Sequence, residues 1–485
     1  MSYSPTQEDI NIIKQQQKEV VVKVELLNKN FKILESLEGN LISDNLNIDS
    51  ESKQRRSYRC NLHVTDASFM VGNDKKIWID KYIRVYYGVT SSRTKETIWY
   101  RIGTFTYINA SYTYSATDNT LSLTCADIMA DFDGTKNGQI INFYKLLIEA
   151  GEDIRTTVVG LIKDAGITNY YVEDIGKEIP YDIEFTDTVT YCDVWTKICE
   201  LYDSWEFFFD VDGKFIWRQI PTGLSDPVVL DDSLLDVIYV SEKTDIDFSS
   251  IYNVTEVWGK VLELEDEDRY AESSTYSNNI YSVELDGIES WEDVDHLDKI
   301  AFKVCADCKN GAMFSVNGLD SIPIVHDDAS PIEAGDLLTD TVYVFLYRRN
   351  MGDSIQNCLY LMGQYQAYGI YKEENPDCPF SVDNLGYEIV NRVNYEDLYS
   401  DDLCYNQAEY LTYQTTALLD TITLETLIVP WLDVNQKISY TSKETGETNQ
   451  YLIKSLSWSS LGGTMTMTLY KFLESFSYVY GRSNS

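Results

Sequence analysis

The segment "TMTMTLYKF" near the end of the chain constrains the fold more than any other. Met465, Met467 and Leu469 alternate with Thr464, Thr466 and Thr468, and a period of two describes a strand with one face buried and one wet. It closes a stretch, about 380–472, whose element types follow a legible order. Tyr387–Val393 reads as a strand. Leu403, Cys404, Ala408, Leu411, Thr415 and Leu418 then recur at steps of three and four, one face of a helix. Asp401 and Asp402 fall in its first turn, where the helix dipole favours carboxylates. "TITLETLIVPWLDVNQKISY" is strand-like and broken at Pro430, and "YLIKSLSW" leads into a turn at Ser459–Gly463. The pattern predicts a helix followed by the closing hairpin of a small barrel or sandwich.

The first 130 residues repeat the β character. Thr6 and Asp9 are spaced as a cap for a short helix over about 7–18, and Glu19–Leu27 reads as a strand. Leu121, Leu123 and Cys125 alternate with Ser122 and Thr124 after a polar turn at Ser115–Asn119. The hairpins at 102–127 and 451–472 therefore share one plan, either by chance or because the chain carries two related barrels.

From Gly138 the period lengthens to about 3.6. Ile140, Ile141, Tyr144, Leu147 and Ile148 predict one helix, stopped at Gly151. Ile154, Val158, Leu161 and Ile162 predict a second. Cys192, Trp195, Ile198 and Cys199 predict a third, with Thr190 and Asp193 as its capping box. "SWEFFFDVDGKFIWRQI" reads as a hairpin turning at Asp212-Gly213. The acidic run 260–273 reads as an exposed loop opening a further strand-rich stretch, about 261–378.

The 485 residues allow several cores, and 37 Tyr suit a β-rich chain with much amphipathic surface. A net charge of −39 argues against a grip on nucleic acid, which needs clustered Lys and Arg. It fits plain solubility, or adaptation to a host whose proteins run acidic. Nine cysteines, odd in number and irregular in spacing, read as reduced, buried thiols. No apolar run is long enough for a membrane helix, and the start lacks the pattern of a signal peptide.

Sites for chemistry are scarce. His63, His296 and His326 are the only histidines, and no metalloprotease, serine-hydrolase or phosphate-loop pattern occurs. Cys305 and Cys308 form a CxxC without a recognisable second pair, so buried thiols, a zinc site and a redox pair all stay open. Asp210, Asp212 and Gly213 match the start of a calcium loop but lack its later ligands, and a strand turn accounts for them. Asp131 and Asp133 before Gly134 read as a boundary turn. No catalytic, metal or cofactor residue is predicted.

"IVPWLDVNQKISY…YLIKSLSW…GGTMTMTLYKF" resembles the C-terminal end of the central hub proteins of tailed-phage baseplates and tail tips, with an interface strand at Leu432–Tyr440. The helix and aromatic Asp-Gly hairpin near 190–219 are similar to the second domain of that family. The resemblance implies an α+β, β-rich fold. Residues 1–130 would be an N-terminal helix and first hub-type antiparallel β-barrel, 131–259 an α/β domain, 260–379 an inserted β-rich domain, and 380–485 a helix and second barrel. It implies a non-enzymatic homotrimeric ring in the virion, assembled in the host cytoplasm. The ring would join the tail tube or distal tail protein to a spike or tip protein, meet the tape-measure and other baseplate proteins, and leave a channel through which DNA passes. On that view acidic side chains are expected to line the channel, and no cell-wall-degrading domain is expected. Two alternatives remain: a carbohydrate-binding or hydrolytic tail protein, its Tyr and Trp serving sugar stacking in the insert, and the spike base of a contractile injection system.

Overall fold

Apolar residues alternating with Ser, Thr and Asn build one 13-stranded sheet out of both ends of the chain. The computed structural model describes residues 5–472 apart from 16–17, 116–118, 141–145, 186–188, 203, 222, 224–225, 227, 244–247, 263–268, 327, 352–354, 365, 396–397 and 417–420. Eight strands of the large sheet lie side by side as a wall. They are β1 (Leu41–Asp49), β2 (Arg56–His63), β3 (Thr97–Tyr114), β4 (Asn119–Asp127), β5 (Tyr239–Lys243), β6 (Thr421–Leu427), β7 (Thr448–Trp458) and β8 (Thr464–Lys471). Their order across the wall is β5-β6-β8-β7-β1-β2-β4-β3, with every neighbouring pair antiparallel.

β3 and β7 each outrun the wall. The first half of β3 pairs with the strand Tyr82–Thr90, and the first half of β7 pairs with Lys437–Thr441. Each has a register shift where it changes partner, at Tyr107/Asn109 and at Ile453/Ser455. A bulge there bends the strand, so the sheet folds back over its own apolar face. One core results: Leu46, Tyr58 and Leu123 from the first half share it with Leu424, Leu456 and Met467 from the last. The helix Gln7–Ile13 adds Ile12 and Ile13 to the same core, and its capping box from Thr6 to Asp9 is present.

A second core holds the helices Ile154–Asp164 and Tyr191–Cys199 against the hairpin Trp205–Phe209 and Phe215–Gln219. Thr190 and Asp193 form the expected capping box. Within the hairpin turn Gly213, and not Asp212, takes a positive φ, +75°, because Asp210 closes the turn both to Gly213 and to Lys214, a longer loop than a two-residue turn. The expected helix around 140–151 is a correction. Leu146–Ile148 is a strand paired with Ile183–Phe185, so an available partner strand overrides the local 3.6 period. The remainder of that helix falls on 141–145, outside the described residues.

The insert strands form an eight-stranded sheet. Along Val342–Met351, Tyr343, Phe345 and Tyr347 enter a third core, while Val344 and Leu346 enter the second. Leu359 and Leu361 alternate with Tyr360 and Met362 in the same way. Most of the acidic run lies outside the described residues, and Arg269–Ala271 at its end is a strand rather than a loop. The helix Asp401–Thr416 rests on a three-stranded sheet of Val254–Val261, Gln366–Lys372 and Val390–Asn394. A Cβ at Gly369 would come within 2.2 Å of the Tyr405 backbone nitrogen, so glycine sets this helix–sheet distance. Leu418 of the expected helical face lies outside the described residues. The expected strand Leu432–Tyr440 begins only at Lys437. Before it, Gln436 accepts from the Asp433 amide and Asn435 takes φ +56°, forming a turn.

Candidate functional site, a neutral strand wall with two open edges

The wall is made of two units in tandem. β5-β6-β8-β7 and β1-β2-β4-β3 correspond strand for strand. In each, the last two strands form a hairpin, and the last strand is the long one that bends behind the wall. The hairpins at 102–127 and 451–472 therefore occupy equivalent places. Within the chain, the end of one unit pairs with the start of the next, β7 against β1, from Ser455↔Asp49 to Trp458↔Leu46. Asp44 of β1 pins this junction. It accepts from the Ser460 amide at 2.7 Å, the Ser460 hydroxyl at 2.5 Å and the Tyr58 hydroxyl at 3.0 Å.

The outer ends of the wall have no such partner among the described strands. β5 pairs only with β6, and beyond Thr106 β3 pairs only with β4. Ile108, Val240 and Tyr114 are exposed there, Tyr114 at 75%. An unpaired strand edge presents a row of amide and carbonyl groups, a template for another strand.

The face turned away from the core is rich in hydroxyls and amides. One cross-strand row runs Ser241, Glu425, Thr466, Ser457, Asn47, Ser57. Another runs Asn45, Arg59, Thr124, Asn109, and a third Ser43, Asn61, Ser122, Ser111. In the third row the side chains bond one another, Asn61 Nδ2 to Ser43 Oγ at 2.9 Å and Ser122 Oγ to Asn61 Oδ1 at 2.7 Å. The flanking rows add Lys243, Thr423, Thr468, Ser455 and Asp49 on one side and His63, Thr120 and Thr113 on the other. The charged groups in these rows are Asp49, Glu425, Arg59 and Lys243, two of each sign, and beside them at Tyr470 Lys454 pairs with Glu51 at 2.8 Å. An acidic lining is not found on this face, because its outward positions are filled by hydroxyls and amides.

A buried ionic cluster holds the α/β unit to the wall. Arg55 and Arg56, at the turn between β1 and β2, are both 1% exposed. Arg55 reaches Glu206, which also takes Arg218 Nε at 2.8 Å and Asn435 Nδ2 at 2.6 Å. Arg56 reaches Asp433 and donates to the Phe209 carbonyl at 2.9 Å. Burial alone would push Glu206 and Asp433 up, but the guanidinium groups beside them hold both carboxyls below the usual range. Asp127 lacks such direct pairing, and burial pushes it up to about 7 despite amide bonds from Arg56 and Met129.

The residues singled out for possible chemistry lie apart. His63 is on the neutral face. His296 Nε2 meets Glu178 at 2.6 Å, and His326 lies between Asp336 and Asp402, so both bridge the insert to other parts of the chain. Cys305 is exposed, whereas Cys308 is buried and bonded to the Glu333 carbonyl and Leu337 amide. Asp210 is used within its own turn, and Asp131 accepts from Tyr82 and Lys136. Among the described residues no group of three or more His, Cys, Asp or Glu is placed to hold a metal ion, and no helix is long and apolar enough to cross a membrane.

Residues 377–476 match a family described as a domain of unknown function, DUF5048. No curated protein matches the chain in sequence. Among solved structures, the 43 kDa tail protein of prophage MuSo2 from Shewanella oneidensis aligns at TM-score 0.50 and 8% identity, over 93% of this chain and 98% of that one. The tail protein from Neisseria meningitidis MC58 aligns at 0.50 and 9%, over 94% and 99%. The chain has the β-rich fold of these tail proteins, as its resemblance to tail hubs implied.

Proposed function

We propose that the chain is a structural protein of a phage tail tip or baseplate, and that three copies close into a ring through the free edges of the wall. The tandem plan carries this reading. Because β7 of one unit pairs with β1 of the next inside the chain, β3 of one copy would pair with β5 of another by the same rule. A head-to-tail contact of this kind closes a ring when the rotation fits. Strands spaced about 4.8 Å apart and tilted about 40° would give three walls a backbone diameter of roughly 48 Å, leaving an open axial channel. The work is mechanical: to join the tail tube to a spike or tip protein in the virion and leave a path for DNA. The tape-measure and neighbouring baseplate proteins are the further partners.

Light scattering at micromolar concentration tests the ring, with hydrogen exchange as the local readout. The expected result is a trimer in which amides of 108–114 and 239–243 become protected on assembly. A chain that stays monomeric at every concentration, even with its tail neighbours present, overturns the ring. A trimer whose two edges still exchange freely overturns the strand pairing.

A further inference from the structure

We propose that the chain holds a neutral saccharide unit in a cleft of about 630 Å³, where both ends of the chain meet the turn of the aromatic hairpin. Small-molecule sites run roughly 300–1,000 Å³. The first half of β3 forms one side of the cleft, residues 430–436 a second, and Asp210, Asp212 and Lys214 a third. It lies outside the insert, and the proposal does not depend on ring closure.

Aromatic rings supply its apolar part. Trp99 packs onto Gly88, where a Cβ would come within 2.6 Å of its ring, so glycine lets the indole lie against the strand. Tyr86 accepts from Arg101 Nη2 at 3.1 Å, and Trp431 reaches Tyr100 with ring centroids 5.5 Å apart. The polar part is three bases and three acids, of which two pairs are spent on each other, Arg56 on Asp433 and Arg101 on Asp212. Asp210 and Lys214 remain. The amides of Asp212 and Lys214 both donate to Asp210 Oδ1, each at 2.9 Å, which leaves Oδ2 to accept. Lys214 makes no ion pair among the described residues. Gln436 is only 8% exposed, and its Oε1 accepts from the Asp433 amide at 2.9 Å. Its Nε2 has no hydrogen-bond partner among the described residues, yet it is not sealed inside the protein, so it opens to the cleft. An enclosed donor left unmade is costly, and a ligand oxygen would relieve it. Free donors and a free acceptor thus share one cleft with aromatic faces. A sugar answers to both, since its hydroxyls donate and accept while the C–H face of its ring is apolar. An anion would meet three carboxylates and a cation three bases, so charge selects neither.

Saturation-transfer NMR on the full chain tests this. Glucose, galactose, N-acetylglucosamine, maltose and chitobiose serve as neutral probes, and glucuronate and N-acetylneuraminate as anionic ones. At least one neutral sugar should receive saturation through its ring C–H protons, and the anionic sugars should bind no better. Trp99→Ala should weaken that binding about tenfold or more. Gln436→Glu keeps the bond to the Asp433 amide but gives up the donor, and it should weaken binding as well. Trp258→Ala removes an exposed tryptophan outside the cleft and should bind as wild type does. Melting curves accompany each variant, and where Trp99→Ala does not fold, Gln436→Glu and Lys214→Met decide. The site is overturned if no neutral sugar receives saturation or if an anionic sugar binds more tightly. Binding that survives the cleft substitutions unchanged, or that is lost with Trp258→Ala, overturns it too.

Discussion

Replacing Glu206 with alanine should be among the most damaging single changes in the chain. Its carboxylate is fully buried and is shared by Arg55, Arg218 and Asn435. Arg218 is a quarter exposed and can turn toward water. Arg55 has no such escape, since it is enclosed and stacked over Phe208 at 3.5 Å. Removing one member of a buried pair costs about 3–5 kcal/mol because the other charge is left uncompensated. For a cooperative unit of about 200 residues, at roughly 2–4 °C per kcal/mol, that lowers the unfolding temperature on the order of 10 °C. Arg55→Met with Glu206→Met removes both charges and should lose less than Glu206→Ala alone. The contribution is full above the unfolded glutamate value of about 4.3 and fades as pH falls through the lower folded value. Calorimetry of the three proteins, with hydrogen exchange across Trp205–Gln219, measures the effect. If Glu206→Ala unfolds within about 1 kcal/mol of wild type, or the double variant is the worse, the assignment of this cluster as a buried anchor is wrong.

Two further outcomes follow from the seams of the insert. His326 is held at 3.2 Å by Asp402 and 2.9 Å by Asp336, with Asp401, Asp328 and Lys177 nearby, and its bond to Asp402 raises it to about 9 despite burial. Its stabilisation is complete below about 6.5 and lost as pH rises through 9, so wild type should lose about 2–3 kcal/mol over that window that His326→Gln does not; parallel melting curves would refute it. Excising 263–365 and joining Leu262 to Gln366 tests whether the insert stands apart. Val344, Leu346, Tyr360 and Met362 would leave a core they share with Tyr399 and Leu403, so the remainder should lose its cooperative transition, and an unchanged transition would show that core to be dispensable.

Local chemistry was readable and distant pairing was not. The capping boxes at Thr6 and Thr190, the helix Tyr191–Cys199 and the aromatic hairpin are written in short-range spacing. The contact of β7 with β1 joins residues more than 400 positions apart, as Asp44 and Ser460 show, and no local pattern encodes it. Arg55 and Arg56 in "KQRRSY" carry no local sign of burial, since their enclosure depends on a hairpin about 150 residues later. One signal was available: Glu206 is a lone carboxylate in the aromatic run "WEFFF", and a charge in a fully buried strand must have a partner. The neutral wall was visible only strand by strand, as Thr or Ser alternating with apolar residues. That the strands align into one face depends on register, which the sequence does not state.

The balance of charge on the wall bears on the proposed assembly. Three copies, each at −39, repel one another, and that repulsion opposes closing a ring. Closure brings together β3 beyond Thr106 and β5, whose outward residues are Asn109, Ser111, Thr113, Ser241 and Lys243. None of these outward residues is acidic, so repulsion between the copies is weak there. The exposed apolar groups Ile108, Tyr114 and Val240 lie at the same edges and gain from burial there, at about 25 cal/mol per Å² of apolar area. A wall whose charges balance therefore leaves its ends clear for strand pairing, and a face acidic out to β3 and β5 would lose that property.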